Sequence, residues 1–182
     1  MIEIRWLGRG GQGAFTSSRL LGIGATIYEG KNSIAFPSFG PERRGAPVNA
    51  FTKIDDKRIQ DRSQSLTCDY FVILDDSLYK EEFLDNISSN GKLIINTVNE
   101  DKFRHIKDRV VMIDASSLAV EFLNNAITNT AMLAALVAST EIISLESTLK
   151  AIDYEMKGSK AEKNKRLIRY IVEKLKEGEL ND

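Results

Sequence analysis

The sequence predicts an α/β protein: three layers, α/β/α, around a mixed, mainly parallel sheet with a Rossmann-like start. Three observations lead there. Short apolar runs of strand length recur at residues 70–74, 93–96 and 110–113, alternating with or followed by stretches of helical periodicity. The first strand, a glycine-rich turn and a helix follow one another directly. The chain has 182 residues, 42 % of them apolar, which suits one domain over residues 1–182 with a sizeable core.

In the first strand, residues 2–7, Ile2, Ile4 and Trp6 alternate with Glu3 and Arg5. A central parallel strand should be apolar on both faces, so the Glu3 and Arg5 face is either wet or covered by another protein. Gly8, Arg9, Gly10, Gly11, Gln12 and Gly13 come next, with Gly8, Gly10 and Gly13 spaced as G-x-G-x-x-G. Such a turn lets backbone N–H groups approach an anion at the positive end of a helix. The alternative is a turn that only packs helix against sheet. The helix, residues 16–28, carries Leu20, Leu21, Gly24, Ile27 and Tyr28 on one stripe, with Gly30 as its C-terminal cap.

A dinucleotide site would need an acid at the end of the second strand. That strand, residues 33–36, runs into Pro37 and Ser38, and Glu29 falls at the helix end instead. The turn therefore reads as a phosphate or packing turn and not as a standard NAD site. Residues 37–47 hold all three prolines of the chain together with Gly40, Gly45 and the adjacent Arg43 and Arg44. Prolines at that density exclude a helix interior or a central strand and make a stiff loop. Paired arginines on such a loop suit phosphates or carboxylates, on a ligand or on a partner.

Residues 48–54 read as a strand, Asp55 and Asp56 as a turn, and Arg58 and Ile59 as the start of a return strand, a hairpin that makes the sheet mixed. Residues 70–74 form a strand buried on both faces. Ser77 is positioned to cap a helix over 78–87, and Ser89, Asn90 and Gly91 form a turn before the strand at 93–96. Residues 99–107 are a polar connection whose His105, the single histidine, reads as a surface residue. After the strand at 110–114, Ser116 or Ser117 caps a helix to about Leu123. Residues 131–140 form a helix apolar on nearly all sides, and helical spacing returns at 147–156. The final helix carries Leu167, Ile168, Ile171, Val172 and Leu175 inside and a basic face of Lys157, Lys160, Lys163, Lys165, Arg166 and Arg169, read as solvated.

Composition narrows function. With 25 Lys plus Arg against 26 Asp plus Glu, nothing favours nucleic acid or an anionic membrane. Cys68 is the single cysteine, so this chain alone forms no disulfide and holds neither an iron–sulfur cluster nor a thiolate zinc site. No stretch has the length of a membrane span or the pattern of a secretory signal, which makes the cytoplasm the expected location. No G-x-S-x-G elbow, histidine pair or phosphate-loop lysine is present. Asp75, Asp76 and Asp114 end strands and read as helix caps in preference to magnesium ligands. No catalytic residue and no metal ligand is assigned, and the chain reads as a binding scaffold.

Two motifs together strongly resemble the gamma subunit of pyruvate:ferredoxin oxidoreductase and related 2-oxoacid oxidoreductases: the glycine turn from Gly8 to Gly13, and Phe36-Pro37-Ser38-Phe39-Gly40-Pro41-Glu42-Arg43-Arg44-Gly45-Ala46-Pro47. Asn129-Thr130-Ala131-Met132-Leu133 and Ser144-Leu145-Glu146-Ser147 are similar as well, so the resemblance spans about residues 2–160. It implies a subunit of an enzyme that oxidatively decarboxylates a 2-oxoacid, forms the acyl-coenzyme A and passes electrons to ferredoxin. Thiamine diphosphate would sit in alpha and beta subunits and iron–sulfur clusters in beta and delta subunits. The basic loop is closer to the pyruvate and branched-chain types than to 2-oxoglutarate types, with indolepyruvate enzymes a further relative. On this reading Gly8, Gly10, Gly11, Gln12, Gly13, Arg43 and Arg44 are the candidate coenzyme A-binding residues, with Arg43 and Arg44 alternatively pairing with a partner subunit. The rivals are a stand-alone Rossmann-like nucleotide-binding oxidoreductase and a pure interaction module.

Overall fold

A computed structural model describes residues 1–38, 45–65 and 67–178. The sheet has six strands: β1 (Ile2–Arg9), β2 (Asn32–Pro37), β3 (Pro47–Asp55), β4 (Cys68–Ile73), β5 (Ile87–Asn96) and β6 (Val110–Ile113), in the order β2-β3-β1-β4-β5-β6. β1, β4, β5 and β6 run parallel, while β3 pairs antiparallel with both β1 and β2. The sheet is thus mixed and mainly parallel, as expected, though for a different reason. Residues 58 and 59 form no return strand, and β3 finds its antiparallel partners in β2 and β1.

Five α-helices lie among the described residues: α1 (Ala14–Ile23), α2 (Ala115–Leu123), α3 (Asn129–Thr140), α4 (Leu145–Glu155) and α5 (Gly158–Glu177). They share one core with Ile4, Trp6, Ala50, Ile54, Val72, Ile94 and Val111 from a single face of the sheet. α3 is buried from Asn129 to Val137. Its all-round apolar surface is accounted for within the chain, because it packs against β5 and β6 as well as α1, α2, α4 and α5. The opposite face of β4 and β5 is covered by 3-10 turns at Asp76–Leu78, Glu81–Asn86 and Glu100–Arg109, whose Leu78, Phe83, Leu84, Phe103 and Ile106 pack on Leu7, Phe71, Ile73, Leu93 and Ile95. These turns replace the helix expected over 78–87 and the irregular connection expected over 99–107.

Other boundaries move for local reasons. The first helix changes to a π-turn at Gly24–Tyr28, which swings Ile27 out of the stripe to 49 % exposure. Residues 89–91 make no turn. β5 runs through them, and Gly91 is required there because a Cβ would collide with the Asp69 carbonyl oxygen where the β4–β5 register shifts. Asp75 and Asp114 are caps, as read from the sequence, and take the place of Ser77 and of Ser116 or Ser117: each accepts from a serine backbone N–H, of Ser77 and Ser117 respectively. Glu29 ends the first helical stretch and its Oε1 accepts from the backbone N–H of Ser144, the capping residue of α4.

The charged face of β1 is resolved within the chain. Lys53 Nζ, only 1 % exposed, lies 3.0 Å from Glu3 Oε1 and 2.6 Å from Asp61 Oδ2. Burial lowers the Lys53 pKa, but the hydrogen bonds to Asp61 and Glu3 outweigh it and hold the ammonium above its ordinary value. The Arg5 guanidinium lies 4.6 Å from the Phe71 ring centroid, and its Nε donates to Asn49 Oδ1 at 2.8 Å. On the other face Trp6 Nε1 donates to Thr52 Oγ1, which donates to the Ser18 carbonyl, and Ser18 Oγ donates to the Phe51 carbonyl. That buried chain of hydrogen bonds fixes α1 on β1 and β3 beside the glycine turn.

Candidate functional site: the glycine turn and the clefts beside it

The glycine turn sits at the carboxyl edge of the parallel strands, where open α/β sheets bind ligands. Gly11 and Gly13 have φ of +99° and +86°, so side chains there would be strained. Gly13 is the N-cap of α1, in left-handed conformation. A Cβ on it would lie 2.6 Å from Asn129 Nδ2, so the turn can close on the start of α3 only with glycine at this position. Ser17 Oγ donates to the Asn129 carbonyl at 2.9 Å and completes that junction.

The two sequence motifs meet in space. Gly10 N donates to the Ala46 carbonyl at 2.8 Å, and Gly45 N donates to the Gly10 carbonyl at 3.2 Å. The far end of the proline-rich loop is therefore hydrogen-bonded to the glycine turn. Arg43 and Arg44 lie outside the described residues.

Sequence reasoning missed the residue that joins these parts. Arg9 Nε donates to Asp75 Oδ2 at 2.9 Å, its Nη1 to the Gly45 carbonyl at 3.2 Å and its Nη2 to Ser77 Oγ at 2.8 Å. Gln12 Oε1 accepts from Arg9 N, and Gln12 Nε2 donates to Asp75 Oδ2. Burial raises the Asp75 pKa, but hydrogen bonds from Ser77, Arg9 and Gln12 outweigh it and leave the carboxyl below its ordinary value. Gln12, expected as a ligand residue, thus spends its amide on the turn's own geometry. Asp75 lies just beyond the end of β4, the parallel neighbour of β1, which is where a dinucleotide fold places a ribose-binding acid. Its oxygens are already taken by Arg9, Gln12 and Ser77. β2, the strand after α1, lies antiparallel at the sheet edge and cannot supply that acid either.

Two clefts flank the turn. One, of about 510 Å³, is lined by Gln12, Asp75, Asp76, Thr97, Asp114 and Thr128 among others. Its acids serve the fold: Asp76 accepts from Thr97 Oγ1, and Asp114 caps α2. No group of three metal-ligating side chains comes together among the described residues. The other cleft, of about 420 Å³, is lined by Gly11, Gly13, Thr16, Asn129, Lys160 and Lys163 among others. His105 stands far from both motifs in role: it is half-exposed and hydrogen-bonds Glu81. Cys68 is buried, and burial pushes its thiol up to about 12.

Fold and site define an α/β domain with a glycine turn at the carboxyl edge of its sheet and a basic loop hydrogen-bonded to that turn. Residues 3–174 match the pyruvate ferredoxin/flavodoxin oxidoreductase family, and the chain belongs to that family. It is 45 % identical over 165 residues to pyruvate synthase subunit PorC of Methanocaldococcus jannaschii, covering 90 % of this chain and 91 % of that one. It is 42 % identical over 170 residues to the common gamma subunit of the pyruvate/ketoisovalerate oxidoreductases of Thermococcus kodakarensis, with 90 % and 91 % covered. The crystal structure of the pyruvate oxidoreductase subunit PORC of Thermotoga maritima superposes with a TM-score of 0.81 at 34 % identity, over 94 % of this chain and 95 % of that one. The resemblance to a gamma-type subunit of a multi-subunit 2-oxoacid oxidoreductase is thereby borne out. No helix among the described residues is long and apolar enough to cross a membrane.

Proposed function

We propose that the chain serves its oxidoreductase by holding phosphates of coenzyme A where the glycine turn meets the proline-rich loop. The enzyme as a whole decarboxylates a 2-oxoacid, joins the acyl group to coenzyme A and sends electrons to ferredoxin. The alpha, beta and delta subunits are this chain's partners, and they carry the thiamine diphosphate and the iron–sulfur clusters. The complex works in the cytoplasm.

One observation carries the coenzyme A reading: the paired hydrogen bonds between Gly10 and Gly45–Ala46. They bring the described end of the proline-rich loop, Gly45 and Ala46, to the start of α1, whose first amides are an anion-binding device. The turn fits phosphates sterically, since nothing lies within 4 Å of a Cβ position at Gly11. The relative shared by pyruvate and ketoisovalerate oxidoreductases supports a second point: a gamma chain that serves both acids leaves their selection to the other subunits.

The test is the assembled enzyme, purified anaerobically through this chain. Arg43→Ala plus Arg44→Ala is expected to raise the KM for coenzyme A or to release this chain from its partners. Unchanged coenzyme A kinetics together with unchanged assembly would refute the reading.

A further inference from the structure

The cleft of about 510 Å³ beside Gln12 lies where the chain leaves the sheet in two directions. β5 and β6 are parallel neighbours. Beyond β5 the chain crosses to the face covered by the 3-10 turns, where Phe103 and Ile106 pack, and beyond β6 it crosses to the helical face, where Ala115 and Ala119 pack. Connections that leave neighbouring strands over opposite faces open a crevice at the carboxyl ends of those strands. The cleft is that crevice: Asn96, Thr97 and Val98 line it from the end of β5, and Asp114, Ser116 and Ser117 from the end of β6.

Its lining carries hydrogen-bonding capacity that the fold leaves unused. Thr128, in that lining, is 3 % exposed, and its Oγ1 has no hydrogen-bond partner. The side chain of Thr128 does not cap α3, where Asn129 Oδ1 accepts from Thr130 N instead. A buried hydroxyl without a partner is uncommon in a folded chain. Asp76 and Asp114 each spend one carboxylate oxygen on the fold, Asp76 Oδ2 on Thr97 Oγ1 and Asp114 Oδ1 on Ser117 N. The other oxygen of each accepts from nothing among the described residues. Ser116 Oγ accepts from Asn96 Nδ2, which leaves its own proton to donate.

These groups define a ligand by what they lack. Among the described residues no lysine, arginine or histidine lines the cleft, and Asp76 and Asp114 form no ion pair, so the cleft repels an anion. Free carboxylate oxygens take protons, while the Ser116 and Thr128 hydroxyls both give and take. The complement is a group whose neighbouring atoms are each donor and acceptor, which is a run of adjacent hydroxyls.

We propose that this cleft binds a sugar ring through adjacent hydroxyl groups, which donate to Asp76 Oδ1 and Asp114 Oδ2 and accept from the hydroxyls of Ser116 and Thr128. The inference does not rest on the phosphate reading of the glycine turn, because it concerns a neutral group and a different set of residues.

Heteronuclear NMR titration of the full chain with methyl β-D-ribofuranoside, whose ring fixes two adjacent hydroxyls, tests it. Saturable shifts are expected at the backbone amides of Ser116, Ser117 and Thr128. The 2-deoxy analogue is expected to bind at least about tenfold more weakly, because it leaves a polar group of the cleft unpaired. Asp114→Asn keeps a good helix cap but loses the charged acceptor, and is expected to weaken binding by about tenfold. Thr128→Val removes the hydroxyl at nearly constant shape, which leaves the fold intact and is expected to weaken binding at least about threefold. Equal binding of the two sugars, or full-strength binding by either variant, would overturn the proposal. So would shifts of the same amides by methylammonium or magnesium but not by the sugar, which would make the cleft a cation site, and so would no shift with any of the three.

Discussion

Gly13→Ala tests the joint between the glycine turn and α3, and the structure gives its size. Two costs add at this position. A φ of +86° places an L-residue in the left-handed region, at ~1–2 kcal/mol. The new Cβ would also come within 2.6 Å of Asn129 Nδ2 and 3.1 Å of its Cβ and Cγ, and Asn129 is held by its buried bond to Thr130 N. Forcing it aside is an overpacking cost of ~1–3 kcal/mol. The total, about 3 kcal/mol, lowers Tm by roughly 6–12 °C for a chain of this size. Gly11→Ala supplies the control, because its φ is +99° but nothing lies within 4 Å of the added atom. It should carry the conformational cost alone, about 1–2 kcal/mol and roughly 2–8 °C. Thermal unfolding followed by circular dichroism would measure both. Combining Gly13→Ala with Asn129→Ala removes the obstructing atoms, so the double variant should be more stable than the sum of the single effects implies. Equal destabilisation by the two glycine substitutions, with additivity in the double variant, would refute the packing argument.

Other substitutions test other joints. Lys53→Met leaves Glu3 facing Asp61 without the buried cation between them and is expected to lower the denaturant midpoint; an unchanged midpoint would contradict the account of the β1 face. Asp114→Ala should cost ~1 kcal/mol through loss of the α2 cap while Ser116→Ala, at one of the positions first expected to cap, costs less, and the reverse order would return the cap to the serine. The Asp75 carboxyl lies below its ordinary pKa, so between that folded value and the unfolded value near 4 the unfolded chain binds more protons. Its contribution is present above about pH 4 and is lost as pH falls through the folded value, and acid titration of Arg9→Gln should show a smaller loss over that window. Cys68, with its thiol at about 12, should resist a thiol reagent at pH 8 in the native chain and react on unfolding, and fast native labelling would refute its burial.

The fold was legible where one signal acted alone. The apolar runs at 70–74, 93–96 and 110–113 became β4, the carboxyl half of β5, and β6, because a strand buried on both faces leaves little else to choose. Failures cluster where tertiary contact overrides local pattern. Residues 78–87 have a helix-like composition, yet they fold as 3-10 turns that set Phe83 against Phe71, with ring centroids 5.3 Å apart. A regular helix would present a different set of side chains to that strand. Arg58 and Ile59 carried a hairpin signal that lost because β3 already had β1 and β2 on its two sides.

The site divides along the same line. The glycines announced themselves because backbone requirements are written in residue type: Gly11 and Gly13 have positive φ. Arg9 did not, because nothing in a sequence says that an arginine inside a glycine motif will reach an aspartate 66 residues away and a carbonyl 36 residues away. The motif-bearing residues build the turn, with Arg9 and Gln12 spending their side chains on its geometry. Asp75, Gly45 and Ala46 complete it from distant parts of the chain, so the form of the turn is set by tertiary contact and not by the motif alone.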